Sequence, residues 1–304
     1  MKYRVLVISH GHPDFQIAGG EKAAYLMYKG YRELKDKVED AYFLSPSFKA
    51  FNGRIERYKD NEFFWHVNIA DLFFMKNNLR ESIRQFFIPL LNVIKPNIIH
   101  INHYIHLGLD FIFSIKKNLP ESKVILTLHE YIPICYHNGQ MIKRYDYSLC
   151  YKSSIDECNT CFPEIRKEWF FLRKHRFMSI FEYVDVFVSP SYFLRDRFID
   201  WGIPKEKIYV IENGFPKFEK LPPRKLKDGE GRNRFAFFGQ INPYKGLDVV
   251  LEGLLSLPPT ERRKIKLFIN GPYLENVAPE VREKIKEPLE KLKKEGVVFH
   301  LGPY

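Results

Sequence analysis

The chain is short of cysteine, of long apolar runs and of concentrated positive charge, and each shortage excludes something. Only four cysteines occur in 304 residues, so the fold is not a disulfide scaffold. No apolar stretch approaches the ~20 residues that cross a bilayer as a helix; the longest near-apolar run, 86–94, contains Pro89 and Asn92. The N-terminus shows no extended apolar segment with a small-residue cleavage site, which predicts no signal peptide and a cytoplasmic protein. Net charge is +11, yet the lysines and arginines are dispersed and interleaved with glutamate. No basic block, RNA-binding aromatic pattern or zinc-finger helix accompanies them, which argues against nucleic acid as a partner. An anionic small ligand, an anionic membrane surface or a solvated lysine-rich exterior accounts for the excess. A G-x-G-x-x-G fingerprint is missing from both glycine turns, which counts against a nicotinamide or flavin enzyme.

What is present reads as two strand–loop–helix units more than 200 residues apart. Residues 3–8 are a near-continuous apolar run, as expected of a buried parallel strand. The loop from Ser9 ends in Gly19-Gly20-Glu21, and a helix with Ala23, Met27, Tyr31 and Leu34 on one face follows. Near the other end, strand 235–238 runs into Gly239-Gln240-Ile241-Asn242-Pro243-Tyr244-Lys245-Gly246. Leu247, Val250, Leu251, Leu254 and Leu255 then form a helical stripe. Asn242 is placed to cap that helix and Pro243 to open it. Lys245 would then stand in the first turn, where a cation opposes the helix dipole unless an anion such as phosphate is bound.

Further strands are expected at 41–44, 98–102, 124–128, 184–189 and 208–211, with helices at 78–94 and 169–181. Alternation of this kind predicts an α/β chain with a parallel sheet. A Pro-, Lys- and Gly-rich stretch, 215–234, reads as a linker between a domain at 1–214 and a shorter one at 235–304. The latter shows only three strands, at 235–238, 266–270 and 297–301, fewer than a doubly wound domain usually has.

Histidines fall at predicted strand ends: His10, His103 and His129, with His12 and His106 nearby. Carboxyl ends of parallel strands share one edge, so these side chains can converge for polar recognition or proton transfer. The alternative is that each is a loop histidine satisfied by its neighbours. His12 fits that alternative best; His129, just past an apolar strand and beside Glu130, fits it least. The cysteines Cys135, Cys150, Cys158 and Cys161 lie in one polar region with spacing C-x14-C-x7-C-x2-C. That spacing suits a structural zinc, four free thiols, or disulfides if the protein is exported. The aromatic clusters Phe63-Phe64-Trp65 and Trp169-Phe170-Phe171 read as core packing. The second is flanked by Arg166, Lys167 and Lys174, so a membrane-surface helix is its alternative.

In order along the chain, several segments resemble the GT-B fold glycosyltransferases of family 4. They are Ala18-Gly19-Gly20-Glu21, Leu126-Thr127-Leu128-His129-Glu130-Tyr131, the four cysteines and Val188-Ser189-Pro190-Ser191. Ile208-Tyr209-Val210-Ile211-Glu212-Asn213-Gly214 follows, then Phe237-Phe238-Gly239-Gln240 with Lys245-Gly246. The resemblance implies two Rossmann-like doubly wound domains facing a cleft, the second incomplete. It implies retaining transfer from a UDP- or GDP-linked sugar to a saccharide or lipid-linked acceptor, in polysaccharide or glycolipid synthesis at the inner membrane face. No metal would be obligatory for that catalysis. Gly19, Gly20, Gly239, Gln240 and Gly246 would bind the donor, and His129 and Lys245 would be catalytic. His129 would contact the transferring sugar and Lys245 the departing diphosphate, while His10, Glu21, His103 and Glu130 would line the acceptor side.

Two features depart from the family pattern. Gln240 stands where many members carry an arginine. The family's E-x7-E donor segment would fall beyond Tyr304. These departures imply either a truncated, non-catalytic acceptor- or partner-binding fragment or a second polypeptide supplying the missing half.

Overall fold

A computed structural model describes residues 2–15, 19–68, 70–215, 218–242 and 244–303. Ala18 of the glycine loop and Pro243, the expected opener of the second-domain helix, lie outside the described residues. The chain divides into two compact units, Met1–Phe218 and Glu219–Tyr304. Their boundary falls inside a stretch, 211–233, without helix or strand among its described residues.

The first unit runs β1 (Tyr3–Ile8), α1 (Gly19–Glu33), β2 (Val38–Ser47), β3 (Ile55–Lys59) and β4 (Glu62–His66). Then come α2 (Arg80–Ser82), a π-helical turn (Ile83–Phe87) and α3 (Ile88–Ile94), followed by β5 (Ile98–Ile101), α4 (Asp110–Asn118) and β6 (Lys123–Thr127). It closes with α5 (Ile155–Cys161), α6 (Lys167–Phe181), β7 (Val186–Ser189), α7 (Tyr192–Trp201) and β8 (Ile208–Val210). The eight strands order as β3-β4-β2-β1-β5-β6-β7-β8, all parallel to their neighbours except β3 against β4. The β3–β4 hairpin was not legible beforehand, because Phe63-Phe64-Trp65 carries no period-2 polarity to mark it as a strand.

Central β1 explains the layering. Its residues alternate between the two faces of the sheet, yet Val5, Leu6, Val7 and Ile8 are all fully buried. Val5 and Val7 pack with Ala24 and Tyr28 of α1 and with Phe43. Leu6 and Ile8 join the larger core on the opposite face, with Phe87, Leu91, Phe111 and Phe177. Both faces are therefore covered, as a parallel sheet requires. The buried line of α1 is Glu21, Ala24 and Tyr28, one step round from the expected Ala23–Met27–Tyr31–Leu34 face, and Leu34 is exposed. The π-turn precedes Pro89 at the start of α3. Proline lacks an N–H and crowds the carbonyl four residues back, so the wider turn accommodates it.

The second unit comprises β9 (Arg234–Phe238), α8 (Leu247–Ser256), α9 (Pro259–Arg262), β10 (Lys266–Asn270), α10 (Pro279–Lys294) and β11 (Val298–Gly302). Its parallel sheet has the order β11-β10-β9. Leu247, Leu251 and Leu254 of α8 meet Ile285, Leu289 and Leu292 of α10 over Leu267 and Ile269. Val250, expected on the apolar stripe, is exposed instead. Arg262 is buried and holds α8's closing carbonyls at Leu255 and Leu257 while forking onto Glu295 at 2.7 and 2.8 Å.

Candidate active site

The first sheet changes direction between β1 and β5: β2 lies on one side of β1, and β5 to β8 extend on the other. Ligands of doubly wound sheets sit outside the carboxyl ends of the strands at such a switch. There β1 ends into Ser9-His10, β5 into Asn102-His103, and neighbouring β6 into Leu128-His129-Glu130. The imidazoles of His10 and His103 have centroids 4.4 Å apart, and His103 lies parallel to His129 at 6.4 Å.

The start of α1 completes the cluster. Glu21 Oε1 stands 3.1 Å from His10 Nε2. A Cβ on Gly20 would approach His10 Cε1 to 2.9 Å, so the glycine lets the imidazole lie against the helix. Gly19 opens the helix, and among the described residues nothing stands within 4 Å of its missing side chain. Glu21 Oε2 and His10 Nδ1 are buried with no hydrogen-bond partner among the described residues. Polar atoms left over in a buried site point to groups that engage when a ligand orders them.

Electrostatics distinguish the members. Burial pushes the Glu21 carboxyl up, but the hydrogen bond and charge of His10 outweigh it and hold Glu21 below the usual range. Burial lowers His129 to about 4, with the His10 charge adding and Glu21 opposing. His103 is lowered as well, by burial first and then by its histidine neighbours. His106 follows the same direction for the same leading reason. At neutral pH His129, His103 and His106 are therefore uncharged hydrogen-bonding groups rather than cations. His103 Nδ1 accepts the N–H groups of Tyr104 at 3.1 Å and Ile105 at 3.2 Å, which assigns its proton to Nε2. That Nε2 lies 3.8 Å from Glu130 Oε1. Burial raises Glu130 to about 7, against the opposing N–H of Ile132 and the charge of Arg173. Glu130 thus sits near its own midpoint at neutral pH, with the neutral His103 imidazole 3.8 Å away.

Sequence reasoning missed the groups that hold this cluster. Asn102 is buried and its Oδ1 lies 3.5 Å from His129 Nε2. Arg173 of α6 is buried too, and donates to the carbonyls of Pro133 and Ile132 just after Glu130. A basic residue four positions from Phe177 on an aromatic helix gave no sign of pointing inward. His12 stands apart from the cluster. It is buried in a nest of Phe15, Tyr25, Phe43, Tyr58 and Phe64, with Nε2 3.0 Å from Glu62. Tyr25 donates to the other oxygen of that carboxylate at 2.9 Å. His12 is accordingly a packing residue that ties the glycine-loop approach to β4.

The second unit carries its own glycine turn. Gly239 follows β9 with φ +157°, and a Cβ on Gly271, past β10, would collide with the Gly239 carbonyl. Gly271 is a second position the sequence did not announce. The helix α8 begins at Leu247. Asn242 Oδ1 accepts the N–H of Tyr244 at 3.0 Å, and Gly246, at φ 71°, is the N-cap of α8. Lys245 and Gln240 are exposed in this turn, and Lys245 precedes the first helical turn rather than lying in it.

The model for Glycosyltransferase Family 4 matches residues 17–216, the segment holding this whole cluster except His10. The chain belongs to Glycosyltransferase Family 4. It is a glycosyltransferase with the GT-B fold. Anabaena HepE, solved in complex with UDP, is similar over 100% of this chain and 70% of its own, at 14% identity and a TM-score of 0.57. Sucrose-phosphate synthase from Thermosynechococcus elongatus is similar over 100% and 71%, at 12% identity and a TM-score of 0.60. A glycosyltransferase from Rickettsia africae is similar over 100% and 69%, at 14% identity and a TM-score of 0.58. No curated protein matches the sequence.

The four cysteines lie elsewhere in the first unit, around one cavity between the loop after His129 and α5. No helix of the described residues is long and apolar enough to cross a membrane. On α6, Phe170, Arg173, Phe177 and Phe181 face inward, while Trp169, Phe171 and Leu172 are exposed.

Proposed function

We propose that this glycosyltransferase moves a sugar from a nucleotide-activated donor to a saccharide or lipid-linked acceptor, with retention at the anomeric carbon. The observation that carries the reading is the convergence of His10, Glu21, His103, His129 and Glu130 at the direction change of the first sheet. HepE has been solved with UDP, with UDP and glucose, and with UDP-glucose, which supports a UDP-linked donor here over a GDP-linked one. Neutral His129 would hydrogen-bond a hydroxyl of the transferring sugar without attracting the diphosphate. Lys245 would meet the charge that develops on the departing nucleoside diphosphate, with Gln240 donating a hydrogen bond but no charge. The acceptor hydroxyl would attack the anomeric carbon as the bond to the diphosphate oxygen breaks, and that oxygen would take the acceptor's proton. With the leaving-group charge met by Lys245, the transfer would need no obligatory metal.

The exposed Trp169, Phe171 and Leu172 beside Arg166, Lys167 and Lys174 support an acceptor held at an anionic membrane surface, in polysaccharide or glycolipid synthesis at the inner face. Thermal stabilisation by UDP, GDP and their sugars tests the donor reading, because a ligand of the folded state raises its stability. A shift selective for UDP or UDP-sugar supports it. No shift with any nucleotide would assign these 304 residues to acceptor binding, with donor recognition supplied by a further polypeptide.

A further inference from the structure

We infer that Cys135, Cys150, Cys158 and Cys161 form a structural zinc centre that pins the loop following His129. The four come from three separate stretches of chain, yet all line one cavity of about 20 Å³, comparable to the space one small ion takes. Cys158 and Cys161 lie three apart on α5, hence on one side of it. The helix is fixed by Ser154, whose hydroxyl accepts the N–H of Glu157 at 3.2 Å. Cys135 lies on the loop that starts at His129, and its N–H is bonded to the Tyr131 carbonyl at 2.7 Å. Cys150 is held by its N–H to the Met141 carbonyl at 2.8 Å.

Among the described residues no three His, Cys, Asp or Glu side chains already stand at metal-binding separation. Closure on the ion therefore has to draw sulfur inward. Tyr147, Leu149 and Tyr151 near Cys150 in sequence all face solvent, so turning its thiol, now 3.5 Å from the Lys152 carbonyl, would disturb little packing while the backbone stays held.

Charge favours the occupant. Four thiols binding Zn²⁺ release four protons to solvent, and the resulting centre carries a net charge of −2. Three cations surround it. Arg173 is buried beside Cys135 and Cys158. Arg144 donates to the Cys161 carbonyl at 3.1 Å while pairing with Glu164 at 2.7 Å. Lys143 lines the cavity and pairs with Glu157 at 3.0 Å. Arg173 also clamps the carbonyls of Ile132 and Pro133. The proposed centre and the His129–Glu130 segment thus share one support, in the manner of an outer shell that orients a metal site. Four sulfur ligands leave no open position, so the role is structural.

The test is metal content and thiol reactivity of the intact chain, purified without chelator. About one zinc per chain is expected. The four thiols should react with a disulfide reagent at least about tenfold faster once a chelator has removed the metal. Cobalt substitution should give the intense thiolate charge-transfer and ligand-field bands of a tetrahedral sulfur site. Cys158→Ser should abolish those bands; if that variant does not fold, release of zinc by stoichiometric mercurial from the unaltered protein gives the same answer. Folded, metal-free protein with four freely reactive thiols would overturn the proposal. So would two disulfides by mass, bound iron with sulfide, or full zinc retention in folded Cys158→Ser.

Discussion

Gly20 and Gly30 both lie in α1, and replacing each with alanine separates local propensity from the architecture of the site. Among the described residues nothing lies within 4 Å of the position a Cβ on Gly30 would take, so Gly30→Ala should stabilise by roughly 0.4–1 kcal/mol through lost freedom of the unfolded chain. Gly20→Ala gains at most the same term. Its methyl, however, would stand 2.9 Å from His10 Cε1, and the ring has little room to move. It is bonded to Glu21 at 3.1 Å on one side and lies 4.4 Å from the His103 ring on the other. Displacing it breaks a charge-assisted hydrogen bond, about 1.5–3 kcal/mol, and leaves the buried Glu21 carboxylate alone. The net expectation is destabilisation by about 1–2 kcal/mol, a fall in Tm of roughly 2–8 °C for a unit of this size. Urea titration and calorimetry of the two variants measure the pair of signs. Activity should fall with Gly20→Ala and not with Gly30→Ala. If Gly20→Ala stabilises as much as Gly30→Ala, the His10–Glu21 contact is not what that glycine protects.

The other expectations concern charge. Glu130, raised to about 7 from 4.5, binds its proton more tightly when folded, so stability should fall as pH rises from about 4.5 to 7 and then level. Glu130→Gln should remove that dependence and stabilise the protein at pH 8 by on the order of 3 kcal/mol; an unchanged pH profile in chemical denaturation would refute the burial account. His129, held near 4, should impose no inflection on the rate between pH 6 and 8, and a His129-dependent break near 6.5 would show that it is a cation at work. Lys245→Ala should lower turnover by about 10²–10³ with little change in Tm, since the side chain is exposed; unchanged turnover would remove it from leaving-group stabilisation. Trp169→Ala with Phe171→Ala should weaken sedimentation with anionic vesicles and spare the fold, and equal sedimentation would exclude that face as the docking surface.

The sequence by itself determined the class of fold and the edge on which the chemistry lies. A strand apolar at every position has to be covered on both faces, and that made β1 a central parallel strand. Polar residues directly after such strands, as at His10, His103 and His129, have to emerge at one edge. The glycine at Gly20 marked a close approach, because only the absence of a side chain lets His10 lie against the helix. The β3–β4 hairpin and the buried face of α1 were decided by tertiary packing. In each the local pattern allowed two answers a residue or a few apart, and contacts distant in sequence chose between them. The same holds for the supports of the site. Arg173 turns inward because carbonyls about 40 positions away need its donors. Glu130 loses its ordinary acidity because the assembled fold strips away most of its water. His12 goes to Glu62 rather than to its histidine neighbours because an aromatic nest, built from β2, β3, β4 and α1, closes around it. Periodicity and turn chemistry act over a few residues and are written in the sequence; burial, and the proton affinities that follow from it, exist only once distant segments have met.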